Sequence, residues 1–490
     1  MSGARRRRSI CRLGLAALAI SAVAPAAASA ATPPRPSAIV LVTVDTLRAD
    51  RVSFGGYALP TTPFLDRLAS EGVIFDRAYA TSSWTPPTMA SIFTGVPPMT
   101  HGVVSGEITE SKALRQPVLP ESLLTLAELA RVLAFRTLGV ASNRHLTVEL
   151  GFAQGFDRFF DPPSFLSGEV VNEQARALLA QEYGAGWKQA WRSRPLFLWL
   201  HYFDPHDPYL PDPAWIQRHA PGAQDRGPLS PARLVMRDLK RRFPEPDAAL
   251  AAAIRPFYDS EVHRTDRVFA ALWNELAPDG NVLLILTADH GEEIVDHGKL
   301  GHSQSLYEEL VRVPLLFWWP RGLPAGVRVD QPVSVLDLLP TLHDLLGQPV
   351  PPSLAGRSLA PLWRGKVAGE PASDPAASPA RPVFLELQAP KPSRWAIIDG
   401  YRKLILDPTT PATLSIPAAS TAPVVELYDL RSDPGETINL AARQPVEVER
   451  LRGELRSWAR QHPLAPDQKT RDRKDEALRK ELEALGYLGN

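Results

Sequence analysis

The sequence predicts an α/β fold, in which a doubly wound, mixed but mostly parallel sheet is flanked by helices. The first observation is a set of short, predominantly apolar runs that end abruptly at polar residues, at 38–44, 196–200, 281–288 and 313–319. Strands that are covered on both faces by helices need such runs. The second observation is that stretches with helical periodicity alternate with the runs, as in α/β proteins. Later apolar runs predict a smaller C-terminal antiparallel sheet with a helix.

The predicted helices of the main sheet lie at 62–75, 122–135 and 334–347, and Gly347 is a typical C-terminal stop. In a doubly wound sheet, ligands bind just beyond the carboxyl ends of the strands. The polar clusters of this chain follow directly on the apolar runs. We therefore expect these clusters to meet at one edge of the sheet.

The chain has 490 residues, enough for one large domain and a smaller one. The predicted organisation is a signal peptide at 1–30, a main domain at 37–365, a Pro- and Ala-rich linker or loop at 366–382, a C-terminal subdomain at 383–465 and a C-terminal helical tail at 466–490. Within the main domain, the segment 212–256 interrupts the pattern and is expected to cover the site.

The first thirty residues have the features of a secretory signal peptide. A basic "RRRRS" precedes a short apolar run, and "ASA" at 28–30 fits a cleavage site. The apolar run is shorter than the roughly 18–20 residues that span a bilayer. We expect an exported, periplasmic or extracellular protein without an integral membrane segment after cleavage, by either the Sec or the twin-arginine route.

Charge gives no sign of a nucleic-acid partner, and the cysteine content excludes sites that need a thiol. The formal net charge is zero, and removing the signal peptide, with five arginines and no acidic residue, leaves about −5. This balance gives no indication of nucleic-acid binding. The signal peptide also contains Cys11, the single cysteine of the chain. The mature protein therefore has no disulfide, no thiolate metal site and no cysteine nucleophile.

Acidic and histidine residues follow two of the predicted strands. Asp45 ends the first apolar run, and Asp289 and His290 end the third. Carboxylate oxygen and imidazole nitrogen both bind zinc or manganese, so these three residues are predicted metal ligands. A helix cap or an ordinary loop position is the alternative for Asp45.

Further histidines lie in two polar segments. "HYFDPHDPY" at 201–209 contains His206 between Asp204 and Asp207, and the alternative is a proline-rich surface loop. Of His297 and His302, we expect one to contact a ligand or an anion and the other to have no such role. His206 and His302 are the predicted catalytic histidines.

The segment "TPPTMASIF" begins at Thr85, which is expected to be the N-cap of a helix with Pro86 and Pro87 in its first turn. The N-terminus of a helix offers free N–H groups and the positive end of a dipole, which favour an alkoxide or a tetrahedral anion. A metal ion bound to the hydroxyl oxygen of Thr85 would lower the pKa of that hydroxyl group further. The alternative is that Thr85 only caps the helix.

Almost the whole mature chain resembles the sulfatase family, within the alkaline phosphatase superfamily. The matching segments, in the family's order, are "VTVDTLRADRVSFGGY", "TTPFLDRLASEGVIFDRAYA", "SIFTG", "LHYFDPHDPY", "TADHGEE", "LYEELVRVPLLF" and "LYDLRSDPGETINLA". The resemblance implies an alkaline phosphatase-like fold, a sulfatase-like catalytic domain at 37–365 and one or two divalent metal ions, Zn, Mn or Ca. Asp45, Thr85, Asp289 and His290 resemble a complete metal site of superfamily relatives with threonine nucleophiles.

The chain departs from the sulfatase pattern at the residues that carry its chemistry. Thr85 stands where sulfatases have the cysteine or serine that becomes formylglycine, and Met89 stands at the arginine of that motif. Thr46 replaces a second aspartate, and "ASNRH" at 141–145 replaces a lysine–histidine motif. Oxidation of cysteine or serine, the usual route to formylglycine, does not apply to a threonine.

These departures favour a metal-dependent hydrolase that cleaves phosphate mono- or diesters, because phosphoryl groups pass readily to an alcohol and then to water at metal sites. In this hypothesis Thr85 is the nucleophile beside the metal, and His206 or His302 protonates the leaving oxygen or binds a second metal with Asp204 or Asp207. The alternatives are a sulfatase, a transferase, or a protein that binds a metal or a glycan without turnover. The expected substrate is a small-molecule, glycan or lipid ester with an anionic group.

Overall fold

The computed structural model describes residues 35–104, 106–108, 114–222, 234–276, 281–365, 380–388, 393–407, 425–465 and 467–473. The predicted signal peptide at 1–30, most of the predicted linker at 366–382 and most of the predicted tail at 466–490 lie outside these ranges. Across the described ranges, no helix combines the length and the apolar character needed to cross a bilayer.

The strands, numbered along the chain, are β1 Ala38–Val44, β2 Val73–Tyr79, β3 Glu107–Ile108, β4 Leu114–Val118, β5 Arg136–Val140, β6 Arg158–Phe160, β7 Leu196–Tyr202, β8 Val282–Ala288, β9 Glu293–Ile294, β10 Leu300–Gly301, β11 Arg312–Trp318, β12 Val327–Val329, β13 Val333–Ser334, β14 Val383–Leu387, β15 Arg394–Asp399, β16 Arg402–Leu406, β17 Val425–Asp429 and β18 Lys469–Arg473.

The α-helices are α1 Pro63–Ser70, α2 Thr85–Thr94, α3 Pro98–His101, α4 Leu126–Val132, α5 Gly168–Tyr183, α6 Trp187–Ala190, α7 Pro213–His219, α8 Met236–Arg242, α9 Ala248–Leu276, α10 Glu308–Val311, α11 Leu338–Leu345 and α12 Pro445–Gln461.

The main sheet has nine described strands in the order β12-β2-β11-β8-β1-β7-β5-β6, with β13 beside β2. Its neighbours are parallel except β11, which runs antiparallel to β2 and β8. The strands β1, β7 and β8 are buried along their whole length, because helices cover both faces. The prediction of a mixed, mostly parallel α/β sheet is confirmed.

The centre of the sheet sets up the site. The first strand of the chain, β1, lies between β7 and β8, with Val44 in register with Tyr202 on one side and Ala288 on the other. The carboxyl ends of the three strands therefore lie side by side. Any polar residue that directly follows one of them is placed at the same edge of the sheet.

The C-terminal subdomain is an antiparallel sheet in the order β14-β15-β16-β17, as predicted. One face packs on α12 through an apolar cluster that includes Trp395, Leu451 and Trp458. The opposite face packs on the main domain, where Tyr79 and Leu310 belong to the same apolar cluster as β14 and β15 residues. The buried ammonium of Lys403 also pairs with Glu308 of α10 at 3.0 Å.

The prediction of a helical tail at 466–490 is wrong for the part that the structure describes. Lys469–Arg473 form β18, which pairs antiparallel with β4 in a three-stranded sheet. The charged sequence "KTRDR" has no apolar alternation, so it gives no local signal for a strand. Backbone hydrogen bonds to an existing edge, supplied by β4, decide its structure.

Glu386 in β14 gives a prediction about stability and pH. Burial raises the pKa of its carboxyl group to about 8, although Gln388 Nε2 donates a hydrogen bond to it at 3.1 Å. The folded protein therefore holds a proton that the unfolded chain releases near pH 4.5. Stability should fall as the pH rises from about 4.5 to 8, by on the order of a few kcal/mol.

We expect Glu386→Gln to remove this pH-dependent loss, so that the variant is more stable than the wild type above pH 8. The measurement is the free energy of unfolding in urea between pH 5 and 9. Glu173→Gln, at an exposed position on α5, is the control and should follow the wild-type curve. Parallel curves for wild type and Glu386→Gln across this range would contradict the prediction.

Candidate active site

The predicted metal ligands meet at the carboxyl ends of β1 and β8. Asp45 directly follows β1, and Asp289 and His290 directly follow β8; all three side chains are fully buried. Each residue places one potential ligand atom within 4.8 Å of the others. The His290 Nε2 atom lies 3.8 Å from Asp45 Oδ1 and 3.6 Å from Asp289 Oδ2.

The two carboxylates of this cluster fit a divalent cation. Asp45 Oδ1 and Asp289 Oδ2 are buried and accept no hydrogen bond within the described part of the chain, and an unsatisfied buried oxygen of this kind is costly. Burial and the neighbouring Asp289 raise the pKa of Asp45 well above its usual value. A cation between the two carboxylates would give both oxygens a partner and would offset the repulsion between the two negative charges.

Hydrogen bonds orient the remaining ligand groups. Asp289 Oδ1 accepts from the backbone N–H groups of Thr46 at 3.2 Å and His290 at 2.7 Å, so that Oδ2 is directed into the cluster. His290 Nδ1 donates to the Gly291 carbonyl at 2.8 Å. Because that ring nitrogen carries the proton, Nε2 presents its lone pair to the cluster, as metal ligation requires.

Thr85 also belongs to this cluster. Its Oγ1 lies 3.2 Å from His290 Nε2, and its side chain is fully buried. The loop before α2 is held across the site by a hydrogen bond from Ser303 N to the Ser83 carbonyl at 3.0 Å. The structure therefore brings together Asp45, Thr85, Asp289 and His290.

The expected position of Thr85 at the N-cap is wrong by one residue. The N-cap is Trp84, with extended φ and ψ of −151° and 146°, and Thr85 is the first helical residue of α2. Pro86 and Pro87 follow, and neither has an N–H group. The expected anion-binding N-terminus is therefore largely blocked, because Thr85 alone among the first three helical residues has an N–H donor.

Asn143 is a site residue that the sequence did not assign. Its Nδ2 donates to Asp45 Oδ2 at 2.8 Å, and its Oδ1 accepts from the backbone N–H of His145 at 2.9 Å. It follows β5, which is parallel to β7 in the sheet. Asn143 thus fixes one oxygen of Asp45 and leaves the other facing the metal ligands. The unusual "ASNRH" segment was the available signal.

The two predicted catalytic histidines lie next to the metal cluster and to each other. The ring of His302 is 4.6 Å from that of His290, and the ring of His206 is 5.0 Å from that of His302, measured between centroids. His206 Nδ1 donates to the Asp207 carbonyl at 2.6 Å. In the neutral form, His206 therefore has its lone pair on Nε2.

Glu292 is the second site residue that sequence reasoning missed. The fully buried Glu292 carboxylate accepts from His302 Nδ1 at 3.0 Å. Burial raises the pKa of Glu292, lowers the pKa of His302 well below its usual value and lowers that of His206 to about 3. The available signal was the position of Glu292 directly after "DHG", where it extends the polar cluster that follows β8.

The neighbouring acidic residues are already engaged in structural roles. Asp204 Oδ2 accepts from Gly168 N at 2.9 Å, and Asp207 Oδ1 accepts from Met236 N at 2.6 Å. They were the candidates to join His206 or His302 at a second metal. These hydrogen bonds anchor α5 and α8 to the loop that carries His206, and a second metal at these residues stays a prediction.

His297 is not part of this cluster. Its Nδ1 pairs with Glu309 Oε1 at 2.6 Å, and its ring stacks on Tyr307 at 3.6 Å. Glu293, His297 and Glu309 form a second group with ligand atoms close enough for a metal. The contacts of His297 are with Glu309 and Tyr307, whereas His302 is the one of the two histidines that lies next to His290.

Comparisons with known proteins agree with this fold. The family model described as Sulfatase matches residues 37–348. Arylsulfatase A of Homo sapiens is 29% identical over 453 residues, covering 83% of each chain.

Solved structures extend the similarity at the level of the fold. A protein in complex with its substrate D-glucosamine-2-N,6-O-disulfate has a TM-score of 0.66 at 19% identity, covering 88% of this chain and 98% of that chain. The phosphonate monoester hydrolase of Agrobacterium radiobacter has a TM-score of 0.61 at 22% identity, covering 87% and 96%. Since the family model spans more than half of the sequence, the chain belongs to the Sulfatase family of the alkaline phosphatase superfamily, a family of ester hydrolases.

Proposed function

We propose that this protein is a metal-dependent hydrolase of sulfate esters in which Thr85 is the nucleophile. The observation that carries the proposal is the position of Thr85 Oγ1, 3.2 Å from His290 Nε2 and within the cluster of Asp45, Asp289 and His290. A buried hydroxyl group beside a cation site is poised for deprotonation and attack.

The relatives of this protein indicate sulfate esters as the substrate. The chemistry of a threonine nucleophile, taken alone, would indicate phosphate esters. Arylsulfatase A aligns with this chain over most of both sequences, and its name states a sulfatase activity. We therefore take the sulfate ester, first considered as an alternative, as the leading substrate class. The alcohol part of the ester is a small molecule, a glycan or a lipid, and the proposed signal peptide puts the reaction outside the cytoplasm.

Asp45, Asp289 and His290 would hold the metal, and two carboxylates with one imidazole suit zinc or manganese better than calcium, which prefers oxygen ligands. When bound there, the cation supplies positive charge that stabilises a deprotonated hydroxyl group and the oxygens of the ester. Asn143 holds Asp45 in place through its amide, and the Gly291 carbonyl holds the His290 ring.

The proposed reaction has two steps. In the first, Thr85 loses its proton to solvent and Oγ1 bonds to sulfur, while the bond from sulfur to the alcohol oxygen breaks. Nε2 of His206 or His302, which holds the lone pair of the neutral ring, takes up a proton from solvent and passes it to that oxygen. In the second, water attacks sulfur, the bond from sulfur to Oγ1 breaks, Thr85 regains a proton, and sulfate is released.

Hydrolysis of phosphate mono- or diesters is the second candidate, and the chemistry of Thr85 favours it. A threonine hydroxyl cannot form the hydrated aldehyde through which formylglycine releases sulfate. The ester formed on Thr85 must instead be cleaved by water at the central atom. Phosphoryl enzymes undergo this step readily at metal sites, so the same cluster suits either ester.

An assay of three 4-nitrophenyl compounds separates the two candidates. The sulfate, the phosphate and the bis(4-nitrophenyl) phosphate diester are compared with Zn²⁺, Mn²⁺ or Ca²⁺. We expect the sulfate to give the highest kcat/KM, with Zn²⁺ or Mn²⁺. Faster hydrolysis of either phosphate, lost in Thr85→Ala, would move the conclusion to the second candidate. Metal binding without turnover of any compound would reject both.

A further inference from the structure

The helix α8 brings a lysine to the edge of the active site. It lies in the segment 212–256 and is joined to the loop that carries His206 by two contacts. Met236 N donates to Asp207 Oδ1 at 2.6 Å, and Tyr209 forms an antiparallel bridge with Leu234. Met236 and Leu239 are buried and α8 packs against β10, whereas Lys240 is exposed.

The ammonium group of Lys240 lies beside Gly301, the residue directly before His302. A β-carbon on Gly301 would meet Lys240 Nζ at 2.8 Å and Glu292 Oε1 at 3.9 Å. Gly301 has a φ of +88°, a conformation that glycine adopts without strain. The missing side chain therefore leaves room in which the lysine approaches the pair formed by Glu292 and His302.

The charge of Lys240 is not neutralised by an ion pair in the part of the chain that the structure describes. Its neighbour Arg241, by contrast, pairs with Asp238 at 3.5 Å. Arg48, another cation near the site, is held by Asp50 at 2.8 Å and by Asp296 at 2.7 Å. Lys240 is thus a cation that is available to a ligand.

The order of groups across the site indicates which part of a substrate Lys240 meets. Thr85 Oγ1 is next to His290, His302 is next to His290, and Lys240 reaches Gly301, one residue before His302. In the proposed function, the metal ligands and Thr85 face the transferring group, and His302 faces the leaving oxygen. The alcohol part of the ester is attached to the leaving oxygen. It therefore lies beyond His302, on the side of Lys240.

We propose that Lys240 is a specificity-determining residue, which binds a second anionic group carried on the alcohol part of the ester. The inference relies on the proposed function for the direction in which the substrate lies. The second group is a carboxylate or a further sulfate, since both accept hydrogen bonds from an ammonium group. A neutral alcohol part would gain nothing from Lys240.

Binding of three unreactive aryl sulfonates to the metal-loaded, full-length protein tests this inference without turnover. Benzenesulfonate has one anionic group, 4-sulfobenzoate adds a carboxylate, and benzene-1,4-disulfonate adds a second sulfo group. We expect wild type to bind at least one dianion about 10-fold more tightly than benzenesulfonate. Lys240→Gln should reduce that ratio to about 1, and Lys240→Arg should keep most of it. The dianion with the larger lysine-dependent gain identifies the group that Lys240 binds.

Arg241→Gln is the matched control, because it removes a neighbouring positive charge from the same helix, and it should keep the wild-type ratio. An unchanged ratio in Lys240→Gln would overturn the inference, and so would equal weakening of all three probes or failure of every probe to bind wild type. A lysine-dependent ratio in a protein that hydrolyses no ester would reject the proposed function and retain the binding role of Lys240.

Discussion

Replacement of Thr85 by alanine is expected to lower kcat by roughly 10³-fold or more toward the preferred ester. The substitution removes the hydroxyl group 3.2 Å from His290 Nε2 and leaves the metal ligands in place. Substrate and metal should therefore still bind, and the loss should appear in kcat more than in KM. The measurement is steady-state kinetics with the metal content of each sample determined.

Two further variants separate loss of the nucleophile from loss of structure. Thr85→Ser keeps a hydroxyl group and should retain much more activity than Thr85→Ala. Thr94→Ala makes the same chemical change at the far end of α2, where Thr94 Oγ1 donates to the Ala90 carbonyl, and should leave kcat near the wild-type value. Equal rates in wild type and Thr85→Ala would rule out the covalent mechanism.

Asp289→Asn is expected to abolish both metal binding and activity. The amide oxygen can still accept the backbone hydrogen bonds that Asp289 Oδ1 now accepts, so the loop after β8 should keep its structure. The change removes the negative charge that Oδ2 directs into the cluster. We expect metal content to fall from about one ion per chain to near zero, and kcat/KM to fall about 10³-fold or more.

The thermal stability of this variant adds an independent measurement. A chelator should lower the Tm of wild type, because the buried Asp45 and Asp289 then repel each other, and should leave the Tm of Asp289→Asn unchanged. Glu293→Gln is the control, since it alters the separate group with His297 and Glu309, and it should keep the wild-type metal content. A wild-type metal content in Asp289→Asn would show that the cation lies elsewhere.

The main sheet was predictable from the sequence because its strands are apolar on both faces. The run 38–44 coincides with β1, and the polar residues after β1 and β8 meet because parallel strands end at one edge. The C-terminal strand β18 was not predictable, since its polar sequence pairs with a strand far away in the chain. Local patterns carry no information about such a partner.

Parts of the site depend on contacts that no spacing encodes. The hydrogen bond of Asn143 to Asp45 requires β5 to lie beside β7, and the approach of Lys240 to Gly301 requires α8 to pack on β10. The start of α2 at Thr85 depends on the backbone conformation of Trp84. Residue types indicated which groups bind metal, but tertiary packing decides how they are oriented.

The central position of β1 has a consequence for synthesis of the protein. Its partners, β7 and β8, begin at residues 196 and 282, so a ribosome completes more than half of the chain before both edges of Ala38–Val44 can pair. Until then this apolar segment exposes unpaired backbone groups, which attract other nascent chains. Completion of the core is therefore a late event in synthesis, and the first strand is open to aggregation until then.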